Sequence, residues 1–97
     1  MYVRISTIEG DAEKIDDAVA TINERVLPDL KGMEGFTAVN FLADKSRGKL
    51  IGIAFWDSES ALTASDETVI PIQTAVADAM GGQVVRVESF ELVAQSW

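Results

Sequence analysis

Trp56, near the end of a strongly apolar segment, is the residue with the clearest potential for ligand chemistry. A buried indole either anchors the core, burying roughly 200 Å², or forms one wall of a pocket. Gly52 and Ala54 precede it on the same face of the predicted strand, and small residues beside a large ring leave unfilled volume. We therefore predict a pocket under the helices, with Leu62 as a further wall. The alternative is a filled core.

Arg4 is the candidate for orienting an anionic or polar group of a ligand. It lies on the first predicted strand, which the topology places in the centre of the sheet. The alternative role is a structural ion pair with Glu88 or Glu91 of the last strand. A buried arginine is rare unless it is paired, which favours the ion pair.

Asn40 and Ser65 complete the predicted binding set. Asn40 is either an edge-strand residue that reaches solvent, which is the commoner case, or a polar group of the pocket. Ser65 lies at an interruption of the second helix, where hydroxyl groups mostly bond to the backbone. The predicted ligand-binding residues are therefore Trp56, Leu62, Ala54, Gly52, Arg4, Asn40 and Ser65.

The chain has no histidine and no cysteine, which removes thiolate chemistry, disulfides and the usual transition-metal ligands. Four acidic residues cluster around the start of the second helix: Asp57, Glu59, Asp66 and Glu67. Their spacing matches no calcium loop, and a solvated face with helix capping explains them. We predict no metal and no cofactor, and we assign no catalytic residue.

Hydrophobic periodicity predicts the elements that position these residues. Strands are predicted at 2–8, 36–43, 50–56 and 84–94. A first helix follows the Gly10-Asp11 break and kinks or stops near Pro28. A second helix begins near Ser58, is interrupted over 65–70 and restarts at Pro71. The predicted order is strand–helix–strand–strand–helix–strand, in one domain over residues 1–97.

The third predicted strand is apolar on both faces. Ile51, Ile53 and Phe55 occupy one face, and Gly52 and Trp56 lie on the other. Such a strand must be covered twice, yet two helices cover only one side of a four-stranded sheet. We therefore predict a homodimer in which the two open faces pack together.

The net charge of −8 argues against nucleic acid and anionic membrane as partners, because both require clustered basic residues. The longest apolar run, 50–56, is far shorter than a membrane span. The first residues lack the basic and apolar regions of a signal peptide. A cytoplasmic location is the expectation.

Several short motifs resemble the dimeric α+β-barrel superfamily, and in particular antibiotic-biosynthesis-monooxygenase-like domains of a bacterial branch without an established reaction. They are Pro28, Gly35-Phe36, Asp44, Gly48-Lys49 and the run 55–65. The resemblance covers nearly the whole chain. It implies a ferredoxin-like βαββαβ fold with a four-stranded antiparallel sheet, paired as a dimeric α+β barrel.

The resemblance also implies a site, with departures from the family pattern. In cofactor-independent monooxygenases that oxidise aromatic polyketides, the pocket uses a Trp, an Asn and a Tyr. Trp56 matches the first, whereas Gly52 and Leu62 occupy the positions of the other two. The haem-degrading branch uses a His near the position of Ser65, and this chain has none.

Two functional hypotheses follow. The first is a cofactor-independent monooxygenase acting on a small aromatic or planar substrate. The second is a non-catalytic dimeric binding or stress-related module that holds a hydrophobic ligand in the same cavity or has no cavity. An open apolar cavity with convergent polar groups would favour ligand binding, and a filled interior would favour a structural role.

Overall fold

The computed structural model describes residues 1–96 and contains one four-stranded sheet. Its strands are β1 (Tyr2–Glu9), β2 (Phe36–Asp44), β3 (Lys49–Trp56) and β4 (Gln83–Glu91). They pair antiparallel throughout, in the spatial order β2-β3-β1-β4. The predicted α+β, ferredoxin-like fold is confirmed, with β1 in the centre. The last strand ends at Glu91, three residues earlier than predicted.

The helix after β1 is continuous but irregular. It consists of a 3₁₀ turn (Ala12–Lys14), α1 (Ile15–Thr21), a π-helical turn (Ile22–Val26) and α2 (Leu27–Lys31). Pro28 has no N–H to donate, and the widened turn ends two residues before it, at Val26. The proline therefore distorts this helix without ending it, and the chain leaves the helix only at Gly32.

The second helical layer has a one-residue break. α3 (Glu59–Ala64) and α4 (Asp66–Ala79) are separated by Ser65 alone. The Ser65 carbonyl accepts from the amides of Thr68 and Val69 at 3.1 and 2.9 Å, so α4 begins there. The prediction of a break over 65–70 with a restart at Pro71 was wrong. Pro71 lies inside α4, where it removes only the bond to the carbonyl of Glu67, an exposed residue to which water has access.

The core lies between the helices and one face of the sheet. Its most buried large side chains are Ile15, Leu50, Trp56, Val76 and Met80. The alternation of β1 and β3 places Arg4, Ser6, Gly52 and Ala54 on this same face. The helical layer therefore covers the small and polar strand residues from which a pocket was predicted.

The other face of the sheet is largely apolar along β1 and β3 and lies outside the core. Ile5, Ile51, Ile53 and Phe55 are only half-buried there, and Phe90 is 49% exposed. No element within residues 1–96 packs over them. Among the same residues, no helix is both long enough and apolar enough to cross a bilayer.

The β2–β3 hairpin is fixed by its loop residues. The Asp44 carboxylate accepts hydrogen bonds from the Ser46 hydroxyl at 2.7 Å and from Arg47 Nε at 2.7 Å. These bonds lower the pKa of Asp44 from its ordinary 3.8 to about 2. Gly48 then adopts a φ of 62°, and its carbonyl accepts from the Gly10 amide at 2.9 Å.

Replacing Gly48 with alanine should destabilise the fold. The left-handed backbone costs a residue with a Cβ about 1–2 kcal/mol, and that Cβ would lie 2.1 Å from the Gly10 carbonyl oxygen. We expect Gly48→Ala to lower the free energy of urea unfolding by at least that amount. Gly32→Ala is the matched control, because Gly32 has a helical φ of −84° and a new Cβ there meets nothing closer than 3.7 Å. Equal stability of the two variants would contradict the assignment.

Candidate functional site

A cavity of about 40 Å³ lies between the covered face of the sheet and the helices. Most of its wall is apolar and comes from residues of the helices and of β2: Val26, Leu30, Val69, Ile72, Val76, Val39 and Phe41. Gly52 and Ala54 of β3 form part of the floor. The polar lining residues are Arg4, Ser6 and Gln73. The arrangement is an apolar chamber with a few polar groups, as is usual for small-molecule sites.

Arg4 is buried, with 3% of its surface exposed, and ties β1 to the α3–α4 break. Its Nη2 donates to the Leu62 carbonyl at 2.9 Å and to Ser65 Oγ at 3.0 Å. The same nitrogen pairs with the carboxylate of Asp66, whose side chain is 51% exposed. Three acceptors therefore converge on one half of the guanidinium.

The other half of the Arg4 guanidinium is free. Nη1 is buried and has no hydrogen-bond partner among the described residues. A buried donor without an acceptor costs free energy unless a ligand or water completes it. One residue of the cavity wall therefore carries a buried cationic donor that residues 1–96 leave unsatisfied.

The guanidinium group of Arg4 packs over the indole ring of Trp56. Its indole is fully buried and packs edge-on against Phe36, with ring centroids 5.6 Å apart. The guanidinium carbon of Arg4 lies 5.8 Å from the centroid of the indole ring, which is within the range of a cation–π interaction. Trp56 Nε1 is a second buried donor without a partner in residues 1–96.

Ser6 and Gln73 form a buried polar pair across the cavity. Gln73 Nε2 donates to Ser6 Oγ at 2.7 Å, which joins β1 to the middle of α4. Sequence reasoning missed both residues. Gln73 lies on the same buried stripe of α4 as Val69 and Val76. A polar residue among apolar ones at this helical spacing could have indicated a buried polar contact.

The predicted site residues divide into three groups. Arg4, Gly52 and Ala54 line the cavity. Leu62, Ser65 and Trp56 are buried around the Arg4 guanidinium instead.

Asn40 lies apart from the cavity. It is exposed on the edge strand β2 and pairs in register with Ile53, on the open face of the sheet. Its position agrees with the alternative in which Asn40 is an edge-strand residue that reaches solvent.

Two sequence expectations need correction. Arg4 does not pair with Glu88 or Glu91, because Glu88 is in register with Ile5 and therefore faces the opposite side of the sheet. Glu91 instead accepts from the Tyr2 hydroxyl at 3.4 Å, and together with Glu59 it raises the pKa of that hydroxyl.

The role of Gly52 also differs from the expectation. A Cβ on Gly52 would lie 2.9 Å from a ring carbon of Phe41, so the aromatic ring of the neighbouring strand occupies part of the space that glycine leaves. Phe41 and Gly52 both remain in the wall of the cavity.

Within residues 1–96, no three acidic, histidine or cysteine side chains are grouped to hold a metal ion.

No protein-family model matches the chain. In sequence it is similar to two uncharacterised proteins of Mycobacterium tuberculosis, Rv2557 and Rv2558. It is 36% identical to the first over 94 residues and 32% identical to the second over 92 residues. These alignments cover 97% and 95% of this chain but only 42% and 39% of the relatives, so the chain spans about two fifths of their length.

Solved structures resemble it over nearly its whole length. A monooxygenase from the gene ActVA-Orf6 of Streptomyces coelicolor, crystallised with nanaomycin D, has a TM-score of 0.71 at 16% identity. That alignment covers 99% of this chain and 88% of the other.

SnoaB, a cofactor-independent oxygenase of Streptomyces nogalater, has a TM-score of 0.64 at 15% identity over 97% of this chain and 92% of its own. A conserved protein of Methanosarcina mazei scores 0.71 at 11% identity, covering 93% and 91% of the two chains. At these identities the likeness concerns the fold. The chain has the ferredoxin-like α+β fold of antibiotic-biosynthesis-monooxygenase-like proteins.

Proposed function

We propose that this chain is a small-molecule-binding domain whose ligand occupies the cavity between β1, β3 and α4. The observation that carries the proposal is an apolar cavity with Arg4 in its wall, a buried arginine that keeps one guanidinium nitrogen without a hydrogen-bond partner among residues 1–96. A purely structural arginine would be expected to use both of its terminal nitrogens.

The size of the cavity limits the ligand. A water molecule needs roughly 10–15 Å³ of such space, so about 40 Å³ admits a fragment about three to four waters in size. A polycyclic ligand would require α2 and α4 to move away from the sheet. Small fragments are therefore the appropriate probes of the site.

A cofactor-independent oxygenase reaction is the second candidate function. It is favoured by the fold shared with SnoaB and by the position of Trp56 at the end of β3, with a free Nε1–H beside Arg4. Gly52 and Leu62 replace the family's Asn and Tyr and count against it. Oxygen consumption with each fragment that binds tests this candidate, and the absence of uptake would leave binding as the function.

We also propose that residues 1–97 form one domain and that two such domains pack through their open sheet faces. The proposal rests on Ile5, Ile51, Ile53 and Phe55, which lie outside the core on a face without a cover in residues 1–96. A second copy of the same face supplies an apolar surface that could cover them. A cytoplasmic location remains a prediction.

Filling the cavity should abolish ligand binding. We expect butanol and phenol to shift the indole N–H resonance of Trp56 saturably in a Trp97→Phe background, where Trp56 is the single tryptophan. Ala54→Val adds two carbons at the cavity floor and should remove these shifts. Ala43→Val is the matched control, because Ala43 lies on β2 outside the cavity. Shifts that persist in Ala54→Val, or no saturable shift in the parent, would overturn the proposed site.

Charging the open face should dissociate the dimer. Ile53→Lys places an ammonium group at the centre of that face, where apolar contact would be lost and the charge desolvated. We expect the parent to sediment as a dimer at micromolar concentration and Ile53→Lys as a folded monomer. Ile70→Lys is the control, since Ile70 is 60% exposed on α4. A monomeric parent would contradict the dimer.

A further inference from the structure

The polar side chains in the cavity wall offer almost no hydrogen-bonding surface to a ligand. Ser6 Oγ and Gln73 Nε2 are bonded to each other at 2.7 Å. Arg4 Nη2 is engaged by three acceptors at the α3–α4 break, and Nη1 is enclosed by the surrounding side chains and backbone. The surface that a ligand in the cavity would touch is therefore almost wholly apolar.

Such a chamber is a poor site for water and a good one for apolar molecules. A buried water typically makes about three hydrogen bonds, and this wall has almost no accessible polar atom to provide them. Cavities of this kind stay dry and bind guests such as benzene or xenon. An apolar guest gains dispersion contacts with the wall and does not have to displace bound water.

Phe41 limits the cavity on the side of β2. It is in register with Gly52 of β3, and a Cβ on that glycine would lie 2.9 Å from a carbon of the aromatic ring. The ring therefore lies against the part of β3 that has no side chain. A smaller side chain at position 41 would open this space and enlarge the cavity along the strand.

We infer that the ligand of this cavity is a small, uncharged, apolar molecule whose size is limited by Phe41. It is held by packing against side chains such as Ala54, Val69 and Val76, without hydrogen bonds to the wall. The inference rests on the proposed binding function and specifies its ligand class. A volume of about 40 Å³ restricts the ligand to a few heavy atoms.

A pair of ligands of equal size tests the ligand class. Pentane and 1-butanol have the same number of heavy atoms, and a methyl group in the first replaces the hydroxyl group of the second. We expect pentane to bind about tenfold or more tightly, because the hydroxyl group loses its water and finds no partner in the cavity. Xenon under pressure is the third probe, since it can bind only by dispersion.

The methyl resonances of valine residues report where each probe binds. In protein with ¹³C-methyl-labelled valine, the resonances of Val26, Val39, Val69 and Val76 report on the cavity wall. The exposed residues Val85 and Val87 of β4 lie outside the cavity and serve as internal controls. We expect saturable shifts in the first group and none in the second.

The outcomes separate the inference from the function on which it rests. Equal or tighter binding of 1-butanol overturns the apolar ligand class and leaves small-molecule binding intact. No saturable shift of the wall resonances with pentane, 1-butanol or xenon overturns both. Shifts of similar size at Val85 and Val87 overturn the location in the cavity.

Replacing Phe41 tests the limit on ligand size. We expect Phe41→Leu to raise the affinity for toluene severalfold and to change that for pentane less, because the added space suits the larger molecule. Phe41→Met leaves more of the space filled, so its effect should be intermediate, and it provides the same comparison if Phe41→Leu does not fold. Phe90→Leu is the control, since Phe90 is 49% exposed on the open face. An unchanged ratio of the two affinities would overturn the role of Phe41.

Discussion

The central constraint in this molecule is that a guanidinium is buried between a sheet and its helices. Removing a charge from water costs several kcal/mol, and only good partners offset that cost. Arg4 finds them at the α3–α4 break, where the Leu62 carbonyl, Ser65 Oγ and the Asp66 carboxylate all accept from Nη2. The C-terminal end of α3 is also the negative end of its dipole, although so short a helix contributes little. Arg4 of the central strand is thus a main polar contact between the sheet and the second helical layer, beside the Ser6–Gln73 hydrogen bond.

The same interaction accounts for the cavity. Arg4 directs its Nη2 contacts towards the helix break, and the adjacent strand residues are small: Ser6, Gly52 and Ala54. Phe41 fills the space next to Gly52. The remaining space is not filled by the helix, because α4 places Gln73 opposite Ser6, where the two side chains form a hydrogen bond. Specific contacts therefore bound the cavity on the side of the sheet, where Arg4 keeps one buried nitrogen without a partner among residues 1–96.

Much of this architecture could be predicted from the sequence, and the misses have physical causes. Strand alternation placed Tyr2, Arg4, Ser6 and Ile8 on one face correctly, because the period of a strand is two residues. The partner of Arg4 was missed because it lies on a helix, 62 residues away in sequence, and packing rather than sheet register brings it close.

The helical layer was harder to predict than the sheet. Pro71 indicated a helix start, yet α4 begins five residues earlier, where the Ser65 carbonyl accepts the first helical hydrogen bonds. The helix continues through Pro71 although the proline removes one backbone hydrogen bond. The cavity was predicted from small residues next to Trp56. The indole does not face the cavity but lies beneath Arg4, because the face of an aromatic ring attracts a cation.

A double-mutant cycle between Arg4 and Asp66 is the most direct test of the claim that their contact holds the helices over the cavity. Free energies of unfolding are measured for the parent, Arg4→Met, Asp66→Ala and the double variant. The account predicts a coupling of about 0.5–3 kcal/mol, as for residues in direct contact. Effects that add within about 0.5 kcal/mol would contradict it, and would mean that the position of the helical layer does not depend on this interaction.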